Sequence, residues 1–306
     1  MSVNITNYER NKLKSHFIGI YEIPEIISYI DEITNIYNYK YENLIIKVYY
    51  RNFKDKINIP KIQNVIKRAY KVVSNMNNIK IFNIHLILSP AKKRFEYNNI
   101  LTAKCINSGF TYPKGNDIFI FREEEFPKVI IHELLHHQKL IDNQIFDIEN
   151  KYKLMNHFNI NNKTKLILNE TIIELWALIL HLSFISNEYN LDIKDLFIIE
   201  LKYSLFKCYQ ILKLQQTYIN EEWYDECNIY CYIIFKTIIM FHLNEFIRIY
   251  SYPYDNTKIT KFIIEHSNIF FDLKKQKSFI NPEFIWKKRK IKRPINSLCF
   301  MLLSDF

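Results

Sequence analysis

The chain has 306 residues and a formal net charge of +10, with 48% hydrophobic and 24% charged residues. This composition excludes a disordered chain, and the length allows one large domain or two lobes around a cleft. The positive charge is spread along most of the sequence, so it permits acidic partners without demanding them. The five cysteines are odd in number and scattered, which indicates free thiols in a reducing compartment.

The sequence predicts a cytoplasmic protein that does not enter a membrane. The first 21 residues are polar and lack the apolar core of a signal peptide. The longest apolar runs are Leu175–Ile185 and Ile229–Leu243, and both are interrupted by histidine or lysine. Neither reaches the roughly 18 apolar residues expected of a membrane-spanning helix.

The N-terminal third predicts strands around one amphipathic helix. The first 40 residues look helical, and Asn43–Arg51 then alternates like a strand. Pro60 can open a helix that extends to about Met76, with apolar residues spaced by three and four. Further strands are predicted at Ile79–Leu88, Ile100–Ile106 and Ile118–Arg122.

Two of the chain's three glycines, Gly109 and Gly115, lie close together just before the last of these strands. In a chain this poor in glycine, their placement indicates backbone positions that a side chain would disturb. Three glutamates and Pro127 follow the strand, and they suit the start of a helix.

That helix carries the sequence H-E-x-x-H. On a helix, His132 and His136 lie one turn apart on the same face, so both imidazoles can bind one cation. Neutral imidazoles suit Zn²⁺ best among the common divalent ions. Glu133 can reach a water on that ion and act as a general base. The competing interpretation is a coincidental polar pair on a core helix.

The order β-α-β-β-β followed by an H-E-x-x-H helix resembles the catalytic lobe of the zincin metallopeptidases. In that family, an edge strand before the helix pairs with an extended peptide substrate. The resemblance implies that Gly109, Phe110 and Thr111 form this substrate-binding strand, since strand addition needs free backbone groups at an edge. A plain hairpin is the alternative interpretation.

A segment further along, Asn169–Ala177, resembles the N-E-x-x-x-[DE] segment of the glutamate zincins. The resemblance implies that Glu170 is the third zinc ligand. It also implies that Glu174, on the same helical face, accepts a hydrogen bond from an imidazole N–H in the outer shell. The alternative is that both carboxylates belong to an exposed acidic stripe of an amphipathic helix.

Two other third ligands stay open. The metzincin pattern would make Asp142 the ligand, although it needs glycine where this chain has Lys139. His157 is a further candidate. The residue that stabilises the oxyanion is also open, with Tyr230, His242 and Arg248 as candidates.

The rest of the chain predicts helices at Asp192–Gln216, Glu221–Ile249 and Thr257–Phe270. A basic run at 287–293 suits either a solvated connector or a nucleic-acid-binding segment. The apolar segment Leu298–Leu303 should pack against the body of the protein.

These observations predict an α+β protein. A zincin-like catalytic lobe, with a small twisted sheet and the motif helix, spans residues 1–158, and a mainly helical lobe with the third ligand and basic tail spans 159–306. The expected function is a peptidase that binds one Zn²⁺ per chain and hydrolyses a peptide or protein substrate. The alternatives are an inactive zincin-like or structural zinc protein and, less favoured, a nucleic-acid binder. A structural site usually closes with four ligands, often cysteines, and no cysteine lies near Glu133.

Overall fold

The computed structural model describes residues 2–19, 21–51, 55, 57–75, 81–95, 100–112, 115–138, 140 and 148–306. The chain divides into two compact units. The first unit comprises Met1–Lys93, Ile106–Gln138 and Ser304–Phe306, and the second comprises Arg94–Cys105 and Lys139–Leu303. The chain therefore crosses between the units several times, and the predicted domain boundary after residue 158 stays a prediction.

The first unit contains a mixed sheet, which has six strands among the described residues. The strands are β1 (Ser2–Asn4), β2 (Asn35–Tyr41), β3 (Leu44–Tyr50), β4 (Phe82–Ser89), β5 (Gly109–Thr111) and β6 (Asp117–Arg122). Their spatial order is β1-β2-β3-β4-β6-β5. The three central strands β3, β4 and β6 run parallel, whereas β1, β2 and β5 pair antiparallel to their neighbours. The protein is thus mixed α+β, as predicted.

Among the described residues, five α-helices lie along the chain up to and including the motif. They are α1 (Asn7–Ser15), α2 (Pro24–Asp31), α3 (Ile59–Ser74), α4 (Ala103–Ile106) and α5 (Phe126–Leu135). Residues of α1 and α2 form one buried cluster with sheet residues such as Tyr49, Phe110 and Phe119. The helix α3 connects the parallel strands β3 and β4, as parallel pairing requires.

The sequence predictions agree best with the structure where apolar residues recur at a regular spacing. The strands β3, β4 and β6 and the helix α3 are confirmed, each within a few residues of its predicted bounds, although residues 76–80 lie outside the described ranges. The helical assignment of the first 40 residues is wrong for β1 and for β2. In β2, Tyr37, Tyr39 and Tyr41 stack along one face. The strand predicted at Ile100–Ile106 is also wrong, because the short helix α4 occupies it. A short apolar run does not distinguish the two structures.

The second unit is mainly helical. Its α-helices are α6 (Ile148–Phe158), α7 (Asn169–Tyr189), α8 (Ile193–Gln215), α9 (Lys236–Phe241), α10 (Leu243–Ile249), α11 (Asn256–Glu265) and α12 (Asn268–Lys275). A 3₁₀ helix at Ile219–Glu221 and a π-helix at Tyr230–Phe235 complete the helical elements of the described part. The prediction of one helix over Glu221–Ile249 is wrong, because the chain changes helix type at 236 and bends at His242.

Within the described ranges, no single helix is long and apolar enough to cross a membrane. Two consecutive helical segments, Tyr230–Phe241 and Leu243–Ile249, have the length and composition of a membrane span only when taken together. They are bent by 84° relative to each other. Residues 230–240 of this pair are all buried.

The apolar segment near the end of the chain is buried, which confirms its predicted packing. Leu298–Leu303 are at most 5% exposed. These residues form no helix or strand, and buried side chains supply hydrogen bonds to their backbone. Glu200 accepts from the N–H groups of Leu302 and Leu303, at 2.9 and 2.6 Å.

The basic run folds into a small hairpin of β7 (Phe284–Trp286) and β8 (Arg289–Ile291). Lys287 and Lys288 form its turn with positive φ angles of 42° and 65°, which is typical of a type I′ turn. Both lysines are exposed. The run is therefore solvated, but it is an ordered hairpin and not an unstructured connector.

Candidate metal centre

The motif helix α5 begins immediately after a residue in the left-handed conformation. Glu125 has φ 64° and ψ 7°, which costs a non-glycine residue about 1–2 kcal/mol. Its backbone N–H donates to Asp305 Oδ1 at 2.7 Å, and its carboxylate forms a buried ion pair with Lys93. These contacts hold the turn from β6 into α5. The acidic run thus precedes the helix and ends at its N-cap, Glu125, at the helix start that the sequence predicts.

The two motif histidines face each other, as their spacing predicts. His132 is 7% exposed, and His136 is half-buried at the end of α5. Their Nε2 atoms are 3.2 Å apart. Two Zn–N bonds of about 2.0–2.1 Å at a tetrahedral angle separate the nitrogens by roughly 3.3 Å. The pair therefore fits two ligands of one zinc ion, and the same distance suits a ring-to-ring hydrogen bond when no ion is bound.

Glu133 lies beside this pair. Its side chain is buried, at 5% exposure, and a carboxylate oxygen lies within 4.8 Å of a ligand nitrogen of each histidine. One residue along a helix is a rotation of about 100°, so Glu133 flanks the imidazole pair instead of continuing its row. That position suits a base that reaches a water near the histidines.

A third histidine, which the sequence had left without a role, connects the end of α5 to the edge strand. His137 Nε2 lies 3.0 Å from Thr111 Oγ1. The Thr111 hydroxyl donates its proton to Asp117 O at 3.2 Å, so it accepts from His137 and fixes the proton on Nε2. The ring of His137 also packs edge-on against Phe82, with centroids 4.8 Å apart. We call this contact between His137 and Thr111 a brace. In the sequence, its only signal was that His137 directly follows His136.

The strand β5 lies at an edge of the sheet and pairs antiparallel with β6 alone among the described strands. The surroundings of Gly109 leave little room for a side chain, because a Cβ would lie 2.9 Å from both Ile120 Cδ1 and Val129 Cγ1. The absence of a side chain lets β5 approach α5 closely. Phe110 is buried and Thr111 is half-buried, so substrate pairing would use the strand's backbone.

In the second unit, Glu170 has a defined partner. It lies in the first turn of α7, and the hydroxyl of Tyr232 donates to its Oε2 at 3.0 Å. Tyr232 belongs to the π-helix and stacks on Phe300, with ring centroids 5.0 Å apart. Glu170 and the motif histidines belong to different units, so their joint coordination of zinc stays a prediction.

Glu174 is 1% exposed, so the interpretation as an exposed acidic stripe is wrong for this residue. Its Oε1 lies 3.9 Å from Lys236 Nζ, and both side chains are buried. A buried carboxylate needs such a partner, and here a lysine of the same unit provides it. The predicted hydrogen bond from an imidazole to Glu174 stays a prediction.

The other ligand candidates divide into two cases. Lys139 and Asp142 lie outside the described residues. His157 hydrogen-bonds through Nε2 to Ser267 Oγ at 2.8 Å, in the second unit. Burial lowers the pKa of His157, which favours the neutral imidazole.

The oxyanion candidates have different surroundings. The hydroxyl of Tyr230 is in the core of the second unit and donates to Gln215 Oε1 at 2.6 Å. Arg248 is exposed. His242 belongs to a separate polar cluster, with Glu245 and His266.

Comparison with known proteins finds no matching family model, no matching curated protein and no matching solved structure. What the site can do is therefore inferred from its own residues.

Proposed function

We propose that this protein is a zinc-dependent peptidase. His132 and His136 would hold the ion, with Glu170 as the third ligand and Glu133 as the general base. The observation that carries the proposal is the pair of Nε2 atoms 3.2 Å apart beside a buried carboxylate on the same helix. An imidazole pair at this separation matches zinc, and a neighbouring carboxylate supplies the base that hydrolysis needs.

The chemistry follows from these groups. Zinc, when bound, would lower the pKa of a nearby water and polarise the scissile carbonyl. Glu133 accepts a proton from the attacking water and later delivers it to the amine that leaves. The new C–O bond forms first, the C–N bond breaks when the nitrogen receives the proton, and the carboxylate of Glu133 ends the cycle unprotonated, as it began.

The substrate class is argued from the edge strand. The backbone of Gly109, Phe110 and Thr111 lies at the sheet edge in the strand that precedes β6 and the motif helix. An extended peptide can add to such an edge through main-chain hydrogen bonds, which suits a peptide or protein substrate. The brace between His137 and Thr111 ties this strand to the end of α5. All five cysteines are free, which supports the cytoplasm as the compartment.

Two roles in the second unit belong to the same proposal. Glu170 would be oriented by the Tyr232 hydroxyl, as a ligating carboxylate usually is by a neighbouring donor. Glu174 would act as an outer-shell acceptor, with the buried Lys236 Nζ 3.9 Å from its carboxylate as a further partner.

Metal analysis combined with cleavage of a peptide library tests the proposal. The wild type should contain a zinc ion whose binding is lost in His132→Ala and in His136→Ala, together with cleavage. Glu170→Ala should weaken the same zinc, whereas His157→Ala should retain it if Glu170 is the third ligand. Glu149→Gln, at an exposed pair with Lys153, is the matched control for a carboxylate change.

Two outcomes would contradict the peptidase assignment. Full zinc content in the His132→Ala/His136→Ala double variant would place the metal elsewhere. Zinc that depends on both histidines, with no cleavage of any library member by the wild type, would favour a structural or binding role. Affinity for nucleic acid that falls steeply with salt would instead indicate that the basic hairpin is the functional surface.

A further inference from the structure

The second unit contains another group of metal-binding side chains, which is separate from the motif. His242, Glu245 and His266 each offer one ligand atom, and these atoms all lie within 4.8 Å of one another. The two imidazole rings are 4.5 Å apart between centroids, and His266 Nε2 lies 3.1 Å from Glu245 Oε1. Two nitrogens and one carboxylate oxygen therefore converge on one small volume.

The ends of three helices bring these residues together. His242 stands at the 84° bend where α9 ends and α10 begins. Its carbonyl accepts from the backbone N–H of Glu245 at 3.1 Å, which places Glu245 one turn into the new direction. His266 follows the last residue of α11, and its N–H donates to Phe262 O at 3.0 Å.

The ring of His266 is fixed in the tautomer that a metal ligand needs. Its Nδ1 lies 2.9 Å from Phe262 O. A carbonyl only accepts, so Nδ1 carries a proton, and Nε2, which faces Glu245, is the ring nitrogen left for a metal ion. A backbone carbonyl bound to the other ring nitrogen is the usual support of a metal-binding histidine.

An apolar base holds the cluster in place. The His266 ring stacks on Phe262 with centroids 4.0 Å apart, and Phe262 packs against Phe246 at 5.2 Å. Both phenylalanines are at most 1% exposed. Above this base, the two histidines are half-buried and Glu245 is exposed. A site of this kind is rigid beneath and open to solvent above, so an ion can enter.

We propose that His242, Glu245 and His266 bind a divalent transition-metal ion, with zinc as the best match. Two imidazoles and one carboxylate suit zinc with a water in the remaining position. The ion would join the end of α9, the start of α10 and the end of α11, and so hold the bend. This proposal does not depend on the peptidase assignment, because it uses none of the motif residues.

Zinc titration of the full chain in the His132→Ala/His136→Ala background isolates this site. The background protein should still bind one zinc per chain by calorimetry, and zinc should raise its melting temperature. Adding His266→Asn should abolish this binding. The asparagine amide can still donate to Phe262 O, so the end of α11 keeps its hydrogen bond while the ligand nitrogen is lost.

Glu245→Gln provides a second variant at an exposed position, where folding is not at risk. It should weaken zinc binding by at least about 10-fold, since loss of a ligand should cost no less than loss of an outer-shell partner. Glu265→Gln, which alters a nearby surface pair with Lys261, is the matched control and should leave the titration unchanged. Titration with Co²⁺ should give a visible absorption band that disappears in Glu245→Gln and in His266→Asn.

Circular dichroism confirms the fold of each variant before titration. A background protein that binds no zinc would overturn the proposal. So would zinc binding that is the same in the background, in Glu245→Gln and in His266→Asn, since the metal would then be held by unrelated surface groups. If His266→Asn does not fold, the Glu245→Gln titration and the Co²⁺ spectrum decide the question alone.

Discussion

The two units use buried charge differently. In the first unit, buried charged and ionisable residues gather around α5: Lys93 pairs with Glu125 before the helix, and His132 and Glu133 lie within it. In the second unit, several of them contact the backbone of the segment near the chain end. Lys207 donates to Ser297 O, and Glu200 accepts from Leu302 and Leu303.

The difference shows how to interpret a buried charge. The segment at 297–303 is buried without forming a strand or helix, so its backbone groups need partners that secondary structure does not supply. Glu200 and Lys207 are those partners, and their burial is explained by structure alone. Around α5, two ligand nitrogens and a carboxylate instead converge on one another. Mutual convergence, more than burial, marks the candidate site.

The largest effect expected from this contrast is at Glu133. Glu133→Gln removes the basic oxygen but keeps the size and most hydrogen bonding of the side chain. Cleavage should fall by about 10³-fold or more, because proton transfer and water orientation fail together. Zinc content and unfolding free energy should remain near those of the wild type. Cleavage at the wild-type rate would show that another residue is the base.

The next largest effect concerns the pH dependence of stability, and it belongs to the second unit. Burial raises the pKa of Glu200 to about 7, against the opposing effect of the two backbone hydrogen bonds. The folded state therefore binds a proton that the unfolded state, with a pKa near 4.5, has released. This contribution to stability is complete below pH 4.5 and is lost as the pH rises through 7. It amounts to at most about 3 kcal/mol.

Urea unfolding at pH 5, 6 and 7 measures this dependence. The wild type should lose stability across the range more steeply than Glu200→Gln, whose side chain does not titrate. Glu149→Gln, at an exposed carboxylate, should follow the wild-type slope. Parallel slopes for wild type and Glu200→Gln would mean that Glu200 does not carry the effect.

The smallest expected effect is on zinc affinity and concerns Tyr232. This residue of the second unit would orient Glu170, the proposed third ligand. Tyr232→Phe removes the hydrogen bond to Glu170 and keeps the ring that stacks on Phe300. The zinc bound by His132 and His136 should then be held about 10-fold less tightly. Tyr224→Phe, which loses a hydrogen bond to exposed Glu226, is the control. Equal zinc affinity in both variants would argue against Glu170 as a ligand.

How much the sequence could predict depends on how far apart the partners lie along the chain. His132 and His136 are one turn apart, so helical periodicity alone placed their nitrogens together. The partners of Glu170 and Glu174 are Tyr232 and Lys236, each 62 residues further on, and no local pattern indicates them.

Other features eluded the sequence for related reasons. The cluster of His242, Glu245 and His266 joins residues up to 24 positions apart at a bend at the end of α9. The brace between His137 and Thr111 depends on β5 folding back beside α5. The short helix α4 replaced a predicted strand because an apolar run of that length fits either structure.

The contact between Glu125 and Asp305 has a consequence for biosynthesis. The two residues are 180 positions apart, and Arg68 also donates to the backbone oxygen of Phe306 at 2.6 Å. A ribosome adding about 5–20 residues per second would make Asp305 some 10–40 s after Glu125. During that interval the turn into α5 lacks one of its hydrogen-bond partners. The hydrogen bond from Glu125 to Asp305 therefore forms only after the motif helix itself has been made.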